Sequence, residues 1–285
     1  IWYNDTSKQI KVKIISPAVF TSGGNLNEAK QQLTGCGTQT ANLAFGGEAP
    51  GGTTANTEEY NGSSWSEQNN LGTGRRLLGG CGTQTAGLGF GGFSTTADTE
   101  EYNGTSWSEQ NNMSNARYSL TGFGTQTAAV GCGGYATSNA TEEYGGSSWT
   151  AGGNMNTGRR DLASTGTLTA GLAFGGKTPG STAATEEYDG SSWTNGGNMN
   201  NARNLLSRGG TQTAGLAIGG QSPNFSAVEE YDGSSWTTSP ATMATARSRL
   251  GGDGTSALAL VYGGESTANS NATEEFTNLI DTVNK

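Results

Sequence analysis

The chain contains no histidine in 285 residues. The commonest general base, the commonest metal ligand and every histidine-assisted nucleophile are therefore excluded. Cysteine is scarce, and three is an odd number that cannot complete a disulfide framework. Cys36 and Cys81 stand at equivalent places in Gly35-Cys36-Gly37 and Gly80-Cys81-Gly82, and Cys132 precedes a glycine doublet; all three read as small packed side chains. Charged residues make up only 14% and sum to −9, which argues against binding a nucleic-acid backbone, since that needs a basic face to displace counterions. No apolar run approaches the 18 or so residues of a membrane span, and no signal peptide is visible. The first residue is Ile1, which leaves room for a preceding segment.

Glycine, by contrast, is abundant at 48 residues and has no three-residue period. It recurs beside aromatic and β-branched residues, as turns and close strand packing require. Trp65, Trp107, Trp149, Trp193 and Trp236 follow one another at intervals of 42, 42, 44 and 43, a period that marks a repeat architecture. Each ends a string such as Thr57-Glu58-Glu59-Tyr60-Asn61-Gly62-Ser63-Ser64-Trp65, and a glycine doublet precedes each string, from Gly46-Gly47 to Gly263-Gly264. Asn-Gly, Asp-Gly or Gly-Gly between two short runs predicts a hairpin with a two-residue type I′ loop. That register sets Tyr60 opposite Ser63 and Glu58 opposite Trp65, with Tyr60 and Trp65 as diagonal neighbours. Upstream, residues 77–82 and 86–92 flank Thr83-Gln84-Thr85 as a second hairpin. Each repeat thus holds four strands.

A four-stranded unit of this size cannot bury both faces alone, and stacking such units around an axis solves the problem. Met or Leu, Arg four residues later, an apolar strand, a second strand ending in Gly-Gly, then Glu-Tyr and Trp: this order resembles the kelch repeat over residues 21–285, with a shorter Tyr-to-Trp spacing. The resemblance implies an all-β, six-bladed β-propeller with four antiparallel strands per blade. The sixth repeat keeps its doublet and Thr273-Glu274-Glu275-Phe276 but lacks a Trp-bearing strand. Ala18-Val19-Phe20-Thr21-Ser22-Gly23-Gly24-Asn25 aligns with the Trp193 string and places Phe20 at the tryptophan position. An N-terminal strand is therefore expected to close the ring and pair both exposed edges. Residues 18–285 are read as the propeller. Residues 1–17 are read as a linker or further strand, a candidate connection from a preceding domain.

Twelve of the 24 acidic residues form six adjacent pairs, from Glu58-Glu59 to Glu274-Glu275. Neighbours in a strand point to opposite faces, so these are not the facing carboxylates of a glycosidase. One Glu of each pair is expected to meet a basic residue or backbone amides between blades. Lys30, Arg75, Arg117, Arg159, Arg203 and Arg247 each lie four residues after Leu or Met at a blade start. Six structural ion pairs are the favoured reading; a cationic ring at the channel mouth, holding a carboxylate or sulfate, is the sharper alternative. Copper oxidases on kelch propellers need histidine, and Asp189-Gly190-Ser191-Ser192-Trp193 matches the sialidase aspartate box poorly, so no catalytic, cofactor or metal residue is assigned.

The loops after the doublets, residues 48–56, 93–98, 135–139, 177–183, 221–226 and 265–272, differ most between repeats. A rigid scaffold displays its differences there. Phe93, Tyr135 and Phe225 are their only aromatics, either protruding contacts or rings tucked over their own blades. Strings such as Gly-Thr-Gln-Thr-Ala-Gly-Leu, with the opening Ile1-Trp2-Tyr3-Asn4-Asp5-Thr6, resemble the kelch-type arrays of tail-fibre and other virion proteins of marine bacteriophages. That resemblance implies a non-catalytic module of assembly or host attachment, displayed on a virion or outside the cell. Its implied partners are other virion or surface proteins and host-surface glycans. A carbohydrate-binding propeller of a secreted or surface bacterial protein is the alternative, and a glycosidase-like enzyme the third.

Overall fold

The computed structural model describes residues 2–4, 9–15, 17–93, 96–221 and 223–284, with the backbone alone for 2–4, 9–15, 280–284 and Thr137. Six four-stranded antiparallel sheets succeed one another along the chain. Blade 1 comprises Thr34–Gly37, Asn42–Phe45, Thr57–Tyr60 and Trp65–Glu67, and blade 2 comprises Gly79–Thr83, Ala86–Phe90, Thr99–Tyr102 and Trp107–Gln110. Blades 3, 4 and 5 begin at Thr121, Ala163 and Ser207. Blade 6 takes Gly251–Gly254, Leu258–Tyr262 and Thr273–Thr277 from the end of the chain and Val19–Ser22 from its start. Phe20 pairs with Phe276, their rings 5.3 Å apart, in the register that Trp65 has with Tyr60. The ring is closed by the N-terminal strand at the expected position. The strand expected before it spans Gln9–Ile15 and forms a separate three-stranded sheet with Trp2–Asn4 and Ile280–Asn284. Ile1, Asp5 and Thr6 of the opening string lie outside the described residues.

The inner hairpin turns at Gln84 and Thr85, with Thr83 opposite Ala86. The outer hairpin differs from the two-residue expectation. Tyr60 lies directly opposite Trp65, so four residues, 61–64, form the loop. Only Gly62 takes a positive φ, of 91°, because the Asn61 side chain itself caps the turn: its Oδ1 accepts from the Ser63 and Ser64 amides at 3.0 Å each. Asp189 and Asp232 do the same in blades 4 and 5, at 2.8–2.9 Å. An Asx cap makes two left-handed residues unnecessary.

The invariant residues hold blade to blade. Trp107 Nε1 donates to Thr57 Oγ1 of the preceding blade at 3.0 Å, and Trp65, Trp149, Trp193 and Trp236 repeat the bond. Phe45, Phe90 and Phe174 pack on the next blade's tryptophan with centroids 4.7–4.9 Å apart. The Tyr102 hydroxyl donates to Glu59 of the preceding blade at 2.9 Å. Burial, aided by the acceptor Glu275, pushes the equivalent Tyr60 phenol up to about 12, so the phenol keeps the proton it donates. Gln84 reaches back to the carbonyls of Asn42 and Tyr60, at 3.2 and 2.7 Å. Cys36, Cys81 and Cys132 are buried free thiols, raised by desolvation. Among the described residues no helix is long and apolar enough to cross a membrane.

Candidate functional site

The aligned cations are buried in ion pairs with the first Glu of each acidic pair. Lys30–Glu58, Arg75–Glu100, Arg117–Glu142, Arg159–Glu186, Arg203–Glu229 and Arg247–Glu274 span 2.5–3.2 Å, with every side chain at most 7% exposed. Each pair joins the segment entering a blade to that same blade's third strand, which corrects the expectation of bonds between blades. The geometry follows from the connection, which crosses the blade's edge before descending into the innermost strand. There the Arg117 Nη1 also donates to the carbonyls of Gly133 and Ala140, at 2.9 and 2.8 Å. It is the second Glu, bonded to tyrosine, that crosses between blades.

Strands one and three run away from the end of the molecule that carries the doublets and the blade connections. The opposite end carries the Asx-capped loops of blades 1, 2, 4 and 5, Gly145-Gly146 in blade 3, and inner turns that read Thr-Gln-Thr in blades 1, 2, 3 and 5. Variation is greatest at the doublet end, in the loops after the doublets and in three residues per blade that face the mouth. Innermost are Gln32, Leu77, Ser119, Asp161, Leu205 and Arg249. All six are non-glycine residues with φ of 54–57°. Each amide donates to the equivalent carbonyl of the preceding blade at 2.8–2.9 Å, so the six bonds close a circle around the axis. A left-handed non-glycine residue costs roughly 1 kcal/mol or more and persists only where its surroundings over-determine it, as the repeated interblade bond does in all six blades.

The second set is Gln31, Arg76, Tyr118, Arg160, Asn204 and Ser248, and the third is Glu48, Phe93, Tyr135, Lys177, Gln221 and Glu265. In each blade the amide of the third set bonds the carbonyl of the second at 2.7–2.9 Å. Across blades 2 to 4 these positions form a continuous row. The Arg76 guanidinium lies 4.3 Å from the Phe93 centroid, Phe93 meets Tyr118 edge-on at 5.3 Å, Tyr118 stacks on Tyr135 at 4.5 Å, and Arg160 lies 5.6 Å from Tyr135. Phe93 and Tyr135 are 41% and 50% exposed. Phe225 is not brought to the row; it is half-buried near Arg203, 5.5 Å from the guanidinium. Parts of two variable loops, residues 94–95 and 222, lie outside the described residues. Arg76, Arg160, Lys177 and Arg249 are the basic side chains that reach solvent among the described residues from 17 to 279, and all four are on this mouth. Ion pairs hold Arg76 to Glu48, Arg249 to Glu265 and, at 3.6 Å, Arg160 to Asp161.

Below the mouth, a collar of leucines that includes Leu33, Leu78 and Leu120 leads to Arg208. At equivalent positions the other blades carry Gly35, Gly80, Gly122, Ser164 and Gly252, which leaves the axis open to one long side chain. Arg208 crosses it and donates to the carbonyls of Gly122 and Gly80, at 2.6 and 2.7 Å. It separates the mouth from a second cavity, where burial holds the Asp253 carboxyl above its usual range.

Tyr118 and Arg208 were not singled out in the sequence. Tyr118 follows an aligned arginine and lies outside the loops that vary in length; Arg208 interrupts a glycine-rich strand, and that break in pattern was its signal. No group of three or more acidic or cysteine side chains is placed to hold a metal ion among the described residues. Compared with known protein families and with curated proteins, the chain matches none.

Proposed function

We propose that the chain is a non-catalytic recognition module that binds a surface partner through the doublet-end mouth. One observation carries this reading: the blades differ most at that end, in the loops after the doublets and in the three residues that each contributes to the mouth. A position serving all blades equally serves the fold, whereas differences on a rigid frame serve a partner. The Phe93–Tyr118–Tyr135 row with Arg76 and Arg160 has the composition of interface hot spots, rigid aromatic rings and guanidiniums. The resemblance of the repeats to kelch-type arrays of bacteriophage virion proteins supports a place on a virion surface, in assembly or host attachment. Its partners there are other virion proteins or a host-surface glycan. A carbohydrate-binding propeller displayed by a bacterium is the second reading, favoured by the same exposed aromatics.

The experiment is a screen of the purified chain against bacterial envelopes and glycans, beside the Phe93→Ala, Tyr118→Ala, Tyr135→Ala triple variant. Binding by the parent chain that falls at least tenfold in the variant supports the proposal. Binding that survives the three substitutions, or no binding to any surface, contradicts it.

A further inference from the structure

Beside the axis the mouth opens into a hollow of about 190 Å³, below the roughly 300–1,000 Å³ of drug-sized-ligand pockets, so only a small ligand or the end of a larger one can enter it. The stacked Tyr118 and Tyr135 line it with Asp161, Arg160, Arg249 and Gln32.

Charge decides what fits. Arg249 is paired with Glu265 and Arg160 with Asp161, so each guanidinium lining the hollow is opposed by a carboxylate, while Lys177 acts on Asp161 from beside it. The polar groups of the hollow form a mixed array of donors and acceptors. The Asp161 carboxylate is fixed by its place in the left-handed circle and by the Ser119 hydroxyl. A carboxylate beside a guanidinium presents paired acceptors and donors to adjacent hydroxyl groups, and the tyrosine bodies supply an apolar wall.

Resting on the recognition reading above, we infer that this hollow binds the terminal residue of a neutral glycan. The ligand is a pyranose whose vicinal hydroxyls meet Asp161 and Arg160.

The test is saturation-transfer NMR of the full chain with free glucose, galactose, mannose and N-acetylglucosamine, and separately with glucuronate and N-acetylneuraminate. At least one neutral pyranose should give contacts, weakened about tenfold or more by Asp161→Asn and by Arg160→Gln. Asn103→Asp at the opposite end should change nothing, and thermal unfolding confirms that each variant is folded. Contacts with the acidic sugars alone, contacts indifferent to both mouth substitutions, or no sugar contacts at all would overturn the inference. Envelope binding that still depends on Phe93, Tyr118 and Tyr135 would then leave the recognition reading standing; loss of both results removes both.

Discussion

A buried guanidinium is tolerable only while its counter-charge and acceptors stay in place. Arg159 is fully buried, with Glu186 at 3.0 Å and the carbonyls of Gly175 and Ala184 at 2.9 and 2.6 Å. Arg159→Ala strands the Glu186 carboxylate, and chemical unfolding should show a loss of about 3–5 kcal/mol; a loss below about 1 kcal/mol would contradict the pairing. The exposed Asx caps behave differently. Hydrogen bonds from the Ser192 and Ser191 amides and the Ser191 hydroxyl hold the Asp189 carboxyl down to about 2, and the serines after Asp232 do the same. A depressed folded value means that the contribution of these turns is complete above the unfolded aspartate value of about 3.9 and disappears as pH falls toward 2. Carboxyl-carbon NMR titration should find both midpoints near 2, and midpoints near 3.9 would show that the caps do not form in solution.

At the scale of strands, the seam between Val19–Ser22 and Thr273–Thr277 holds the circle shut. Deleting residues 17–22 exposes the Thr273–Thr277 edge, an invitation to pair with another chain. The deletion variant should unfold at lower denaturant and associate with rising concentration; a monomer of unchanged stability would mean that the ring closes some other way. This seam was legible because Phe20 sits in a string alignable with Trp193, and the tryptophan period itself marks the blades. The four-residue loop was not legible, since Asn61-Gly62 satisfies the type I′ pattern equally well and only the register of Tyr60 with Trp65 distinguishes the two. Nor was the circle of left-handed residues. Nothing local to Leu77 or Leu205 favours a positive φ; a bond to the neighbouring blade imposes it. Arg75 and its equivalents were readable as partners of glutamate, but their partner's blade depended on the path of the connecting segment.

The whole molecule divides into a frame that repeats and a mouth that does not. Tryptophan, threonine, tyrosine, glutamate and glutamine recur because each spans from one blade to the next, and the blades stack through nearest-neighbour contacts of the kind that make repeat proteins additive. The mouth residues contribute little to that stacking beyond their backbone circle, so their side chains are free to differ. One exchange separates the two roles: replacing the blade 3 set by that of blade 5, as Tyr118→Asn, Ser119→Leu and Tyr135→Gln. Each new residue already occupies the same backbone position elsewhere in the ring. The account predicts a Tm within about 4 °C of the parent, the shift expected for roughly 1 kcal/mol, together with at least a tenfold loss of binding to whichever envelope or glycan the parent chain recognises. Binding unchanged in a folded variant, or a variant that cannot fold, would contradict the division of frame from mouth.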